Sequence, residues 1–169
     1  MSRPQATEAA PYYLTYIDRV SGDNIVDVMK LQLDDTAEIL AGISEEKSLH
    51  RYAPDKWSIR QVINHLNDTE RVFAFRAMWF ARGFSDPLPS FDQTISSKAA
   101  RADDYSWASH VQEFRRIRQA TLAFFRNLPA EAWLRSGVAS GNSVTVNALG
   151  YIIAGHVAHH IAIVQQRYL

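Results

Sequence analysis

The stretch GHVAHHIAIV, residues 155–164, places three of the chain's six histidines within five positions of an otherwise aliphatic run. A neutral imidazole offers a lone pair and is the commonest protein ligand for metals. Two such rings at i and i+4 stack on one helical face, so His156 and His160 can present two nitrogens to one cation. Successive helical residues lie about 100° apart. With His156 at zero, His160 falls ~40° to one side and His159 ~60° to the other. Leu149, Ile152, Ile153, Val157, Ile161, Ile163 and Val164 fill an arc centred near His160. His156 and His160 therefore face the core, and His159 sits at the edge of the arc. His65 lies on the shoulder of a second apolar face, made by Val62, Leu66, Thr69, Phe73 and Phe80. A bundle would bring the two helices together, at a level the sequence leaves open. Three neutral imidazoles with one open position describe a catalytic metal site, where a water on zinc ionises near pH 7. The plainer reading of each histidine is a hydrogen-bonded core residue. Two rings buried side by side without an ion must find other partners or cost stability.

Four long helices must position these groups. The first is expected over about 22–42, with Ile25, Val28, Met29, Leu33, Ile39 and Leu40 keeping a 3.6-residue period and Gly42 ending it. Ser58 and Gln61 form an S-x-x-Q capping box that opens the second, which runs to Arg82. The third spans about 105–127 and the fourth about 144–167. The expected architecture is all-α, an antiparallel four-helix bundle. Residues 84–104 read as a long irregular segment of the kind that often carries function, and 129–143 as a second crossing segment. No strand-like alternation stands out. Residues 1–20 are expected to form a tail or arm, with YYLTYIDRV aromatic enough to pack on the single domain of residues 21–169.

Other groups could take part. Asp68, at i+3 from His65, could orient that ring through its second N–H or be a solvated acid. Glu70 falls inside the apolar arc. It needs a cationic partner, such as Arg76 or an arginine of the third helix, or else serves as a general base. His159 could be a base behind the metal or a hydrogen-bonded rim residue. Trp57 is placed to staple the start of its helix. Arg101, Asp103 and Asp104 could line a pocket.

Composition excludes several classes. Eighteen basic residues balance eighteen acidic ones in a chain of 169, which argues against a nucleic-acid binder. There is no cysteine, so disulfides, thiolate–metal sites and a cysteine nucleophile are ruled out, and any thiol must arrive from outside. MSRPQATEAAP has no apolar core and does not read as a signal peptide. The apolar run 144–164 approaches membrane-spanning length but carries three histidines and Asn147, so a buried helix and a cytoplasmic protein are expected.

KWSIRQVINHLNDTERVFAFR (56–76) and LGYIIAGHVAHHIAIVQQRYL (149–169) resemble the second and last helices of the DinB-like, or YfiT-like, superfamily of metal-dependent enzymes. The resemblance covers the chain from about residue 25 onward. It implies a four-helix bundle with long crossover segments. It implies one divalent metal (zinc, nickel or iron) held by three histidines, which match His65, His156 and His160. It also implies a small-molecule substrate and a homodimer. Characterised members include S-transferases and isomerases that use low-molecular-weight thiols such as bacillithiol or mycothiol. Many members carry Glu where this chain has Val157, so any role of that acid is missing here. The resulting expectation is a metal-dependent thiol S-transferase. The alternatives are a metal-dependent hydrolase and a non-enzymatic, stress-related binding module with a structural or vestigial metal site.

Overall fold

In the computed structural model, residues 2–169 are described. The elements run α1 (Pro11–Ile17), α2 (Ile25–Ala41), α3 (Ile59–Ala81), α4 (Gln93–Ala100), α5 (Trp107–Arg126), β1 (Ser136–Ala139), β2 (Asn142–Thr145) and α6 (Val146–Arg167). Each long helix begins at a side-chain cap. Asn24 accepts from Val26 N–H, Ser106 from Ser109 N–H and Thr145 from Ala148 N–H. At α3 the box is reciprocal, with Ser58 Oγ accepting from Gln61 N–H and Gln61 Oε1 from Ser58 N–H, both at 3.1 Å. These caps satisfy amide donors that have no partner in the first turn.

Helices α2, α3, α5 and α6 form the bundle. Helix α3 packs on α5 and α6, and α2 packs on the same two, so α2 and α3 occupy opposite corners. Tyr168, past the end of α6, donates to Trp57 O before the start of α3, so these two helices are antiparallel. Trp107 Nε1, at the start of α5, donates to Leu40 O near the end of α2, so that pair is antiparallel too. The contacts of Asn67 with Glu113 and of Glu70 with Arg118 instead run in the same sense along α3 and α5. The bundle thus departs from the all-antiparallel order that helix count alone suggests. The connector of residues 42–58 is long enough to cross the diagonal.

Two further differences concern the crossing segments. Residues 84–104 are not wholly irregular. Asp92 Oδ1 accepts from Thr94 N–H at 2.8 Å and Ile95 N–H at 3.1 Å and so starts α4, and Arg101, at φ 48°, ends it. The segment before α6 contains a hairpin, β1 paired antiparallel with β2. Its tight turn, Ser140–Gly141, has φ of 54° and 77°, the left-handed geometry that two-residue hairpins need. Strands of four residues, mostly exposed on the outer face, show too little alternation to be read from sequence.

The core divides into two apolar clusters. One gathers Met29, Phe73, Phe80, Leu122, Phe125 and Tyr151, and the other Leu40, Ile63, Leu66, Phe114, Val157 and Val164. Burying each such side chain contributes roughly 1.5–3 kcal/mol. Between Leu66 and Phe73 on α3, Ala154 and Val157 on α6, and Phe114 and Leu122 on α5, the chain changes from one cluster to the other. Glu70, His156 and Arg118 are buried in that seam, and His65 is buried at its edge, next to Leu66. Helix α6 is long and apolar enough to cross a membrane, but 72% of its most apolar window is buried inside the bundle.

Helix α1 lies across α6. Gly155 makes this approach feasible, because a Cβ there would sit 2.0 Å from the Tyr16 carbonyl oxygen. The arm is thereby held against the helix turn that carries His156.

Candidate metal centre

His65 on α3 and His156 and His160 on α6 converge, each offering one ring nitrogen within 4.8 Å of the others. His65 Nε2 and His160 Nε2 both lie 3.1 Å from His156 Nε2. Ligands about 2.1 Å from one cation sit roughly 3.0–3.4 Å apart, so the spacing fits a shared ion. His65 and His156 are buried and His160 is half-buried.

The tautomer of His156 follows from its neighbour. Thr69 Oγ donates to the His65 carbonyl oxygen at 2.6 Å, which uses its one proton. Toward His156 Nδ1, 3.3 Å away, the hydroxyl is therefore an acceptor, and Nδ1 carries the hydrogen. Nε2 of His156 is left with its lone pair aimed at two other imidazoles. One lone pair cannot be well used by two ring nitrogens at once without a cation between them. Burial also keeps the set neutral. Desolvation lowers His65 to about 4. Desolvation, and then the neighbouring imidazoles, lower His160 to about 3 and His156 well below its ordinary value. At neutral pH all three are in the form that binds metal.

The other candidates go elsewhere. His159 stands beside His160 and edge-on to Tyr16 at 5.5 Å, outside the set of three. Asp68 accepts from Asn64 at 3.1 Å and Ser96 at 2.9 Å and pairs with Arg71. It ties α4 to α3 and makes no hydrogen bond to His65. Glu70 is met by Arg118 of α5, whose Nε and Nη2 each donate at 2.9 Å to one carboxylate oxygen. Trp57 leans on the His65 ring at 5.0 Å and so walls the site. Asp103 accepts from Ser58 and from Arg51, and Arg101 pairs with Asp104 on the surface.

A cavity of about 450 Å³ opens beside His65 and His156. Its walls are aromatic, from Tyr12, Tyr13, Tyr16, Phe73 and Phe91, with Thr69, Arg76, Asp92 and Ser140 supplying polar groups. Tyr16 stands edge-on to His156 at 5.2 Å. Sequence reading missed this wall. Its one signal was the aromatic density of the arm, which gives no direction. In sequence Thr69 reads as part of the apolar face, although its i+4 offset from His65 puts a hydroxyl beside the ligands.

The fold has known relatives. YfiT from Bacillus subtilis, described as a probable metal-dependent hydrolase with an unusual four-helix bundle topology, superposes with a TM-score of 0.65 at 18% identity, covering 96% of this chain and 91% of that one. A mycothiol-dependent maleylpyruvate isomerase superposes with a TM-score of 0.68 at 12% identity. That alignment covers 81% of this chain, which spans only 58% of the isomerase. At such identities the likeness establishes the fold. No curated protein matches the sequence significantly. The family model of the DinB superfamily matches residues 29–164, a stretch that contains all three converging histidines, and the chain belongs to that superfamily.

Proposed function

We propose that the chain is a metal-dependent enzyme in which His65, His156 and His160 hold one divalent cation, zinc, nickel or iron, and an external low-molecular-weight thiol serves as nucleophile. The observation that carries this reading is the convergence of three neutral ring nitrogens on one point, with His156 held in the ligating tautomer by Thr69. A cation bound there supplies a Lewis acid that lowers the pKa of a thiol or water in its open position.

The chain's own residues supply the rest. Thr69 orients His156, Trp57 backs His65, and the aromatic wall keeps water from the substrate. Glu70 and Asp68 are engaged by other partners, and Val157, between the two α6 ligands, is no base. Free thiols ionise near 8.5, against about 15.7 for water, so a thiol depends less on a protein base. A second reading, hydrolysis, is favoured by one observation. Asp92 is the carboxylate on the cavity wall. Its Oδ1 caps α4, which leaves the other oxygen to take a proton from water. We also propose a homodimer, checked by light scattering at tens of micromolar.

The deciding experiment offers metal-loaded protein an aryl halide with bacillithiol, mycothiol or glutathione, and separately a panel of esters and amides. The thiol reading expects thiol-dependent turnover that His156→Ala abolishes. Thiol-independent hydrolysis that both His156→Ala and Asp92→Asn abolish establishes the hydrolase. Stoichiometric metal with no turnover in either arm leaves a binding module.

A further inference from the structure

Three arginines are buried, Arg60, Arg76 and Arg118. Arg60 pairs with Glu45 at 2.6 Å and Arg118 with Glu70 at 2.9 Å. Arg76, only 4% exposed, has no such partner. Among the described residues no carboxylate lies within 4.0 Å of its guanidinium. Desolvating a guanidinium without a counter-ion is costly, and buried charges are as a rule paired.

The surroundings hold Arg76 in place without neutralising it. Its Nη2 donates to Pro89 O at 2.9 Å and Ser140 Oγ at 3.0 Å. Ser140 is the non-glycine residue at φ 54° in the hairpin turn, a conformation that costs free energy and here presents a hydroxyl to the arginine. The Phe73 ring lies 5.9 Å from Cζ. Nε and Nη1 make no hydrogen bond to a described residue, and Arg76 lines the cavity it shares with His65 and His156. Asp92 lines the same cavity but does not reach it, and its Oδ1 is committed to α4.

We propose that Arg76 is an anion anchor, and that the cavity takes a small organic acid whose carboxylate docks on Arg76 while its apolar body lies among Phe73, Phe91 and the tyrosines. The fork of an arginine matches a carboxylate with two parallel hydrogen bonds. A cavity of 450 Å³ is of ordinary size for a small ligand. The inference names the ligand class of the site proposed above and rests on that reading only for its link to catalysis. The carboxylate could belong to the substrate or to a thiol cofactor, and both present the same chemistry to Arg76.

The test is calorimetric, at pH 7.5, on protein kept metal-free with chelator, so that no carboxylate can bind a cation instead. Phenylacetate is compared with phenylacetamide, and S-methylglutathione with its dimethyl ester. Wild-type protein is expected to prefer the acid of at least one pair by roughly tenfold or more, the scale of a charged hydrogen-bonded contact. The pair that shows the preference names the source of the anion. Arg76→Gln should bring that preference to within about twofold. If Arg76→Gln does not fold, Arg76→Lys carries the test. It keeps the charge but loses the fork, and the preference should fall at least ~3-fold. Equal binding of acid and neutral partner in both pairs, no binding of any probe at ~10 mM, or a preference that survives the substitution overturns the proposal. Metal content is measured in parallel by mass spectrometry on metal-loaded samples. An acid preference without metal stoichiometry overturns the enzyme reading alone, and the converse overturns Arg76 alone.

Discussion

Glu70 and His65 lie five positions apart on α3, one buried in the seam between the two apolar clusters and the other at its edge, yet their surroundings differ in kind. Around Glu70 every charge is answered. Arg118 takes both carboxylate oxygens, its Nη1 donates to Gln32 Oε1 at 2.7 Å, and Gln32 Nε2 donates to Ala154 O at 2.8 Å. That chain of contacts touches α3, α5, α2 and α6 in turn, so one saturated network locks all four helices in register. Around His65 three ring nitrogens converge within 4.8 Å of one another, and Arg76, on the wall of the same cavity, has no carboxylate within 4.0 Å among the described residues. A closed polar network needs nothing more and serves the fold. One left open at the same depth costs stability unless a ligand completes it.

The largest effect should come from opening the closed network. Arg118→Met leaves the buried Glu70 carboxyl without its partner, and should cost roughly 3–5 kcal/mol in urea unfolding. Adding Glu70→Leu should recover most of that loss, since removing both partners of a buried pair is often near neutral. A single variant as stable as wild type would show that the network does not lock the bundle.

Next comes the open cluster. His160→Ala should lose most of its metal while the metal-free protein stays about as stable as wild type, and His159→Ala should keep stoichiometric metal. Mass spectrometry of the loaded proteins reads this directly. Equal loss in both would place the ligand at the wrong spacing. Thr69→Val, which keeps the shape and removes the acceptor for His156 Nδ1, should weaken metal affinity by roughly 10–100-fold in a chelator competition. Unchanged affinity would mean that the tautomer is set by something else.

A third probe is pH. His65 and His160 are held at about 4 and about 3 in the fold, against about 6.5 in the unfolded chain. Below 6.5 the unfolded chain binds protons that the fold refuses. Stability of metal-free protein should therefore be level above ~6.5 and fall as pH drops toward 4, by ~1.4 kcal/mol per unit for each histidine. Urea titrations from pH 7.5 to 4.5 test the slope, and His160→Ala should make it shallower by one histidine's share.

What could be read in advance was local. The Ser58–Gln61 box and the i, i+4 pairing of His156 with His160 depend only on neighbours within one helix, so spacing reveals them. The diagonal placement of α2 and α3 sets the level at which α3 meets α6, and no helical wheel contains that information. For the same reason Glu70 visibly needed a cation, with Arg76 or an arginine of the third helix as candidates, while the choice of Arg118 emerged only from the packing of α3 on α5. Thr69 was hidden by its dual nature, since a threonine on an apolar face reads as core. Helix α4 and the hairpin escaped because four to eight residues hold too little periodicity, and Ser140 adopts a turn conformation usually left to glycine or asparagine.

The cavity wall contributed by Tyr12, Tyr13 and Tyr16 lies outside the 29–164 stretch shared with the superfamily, whereas the three histidines lie inside it. One wall of the binding chamber is thus encoded apart from the common bundle, and the two join where Gly155 lets the arm seat against α6. Substituting Tyr12, Tyr13 or Tyr16 is then a way to alter selectivity while leaving the three histidines in place.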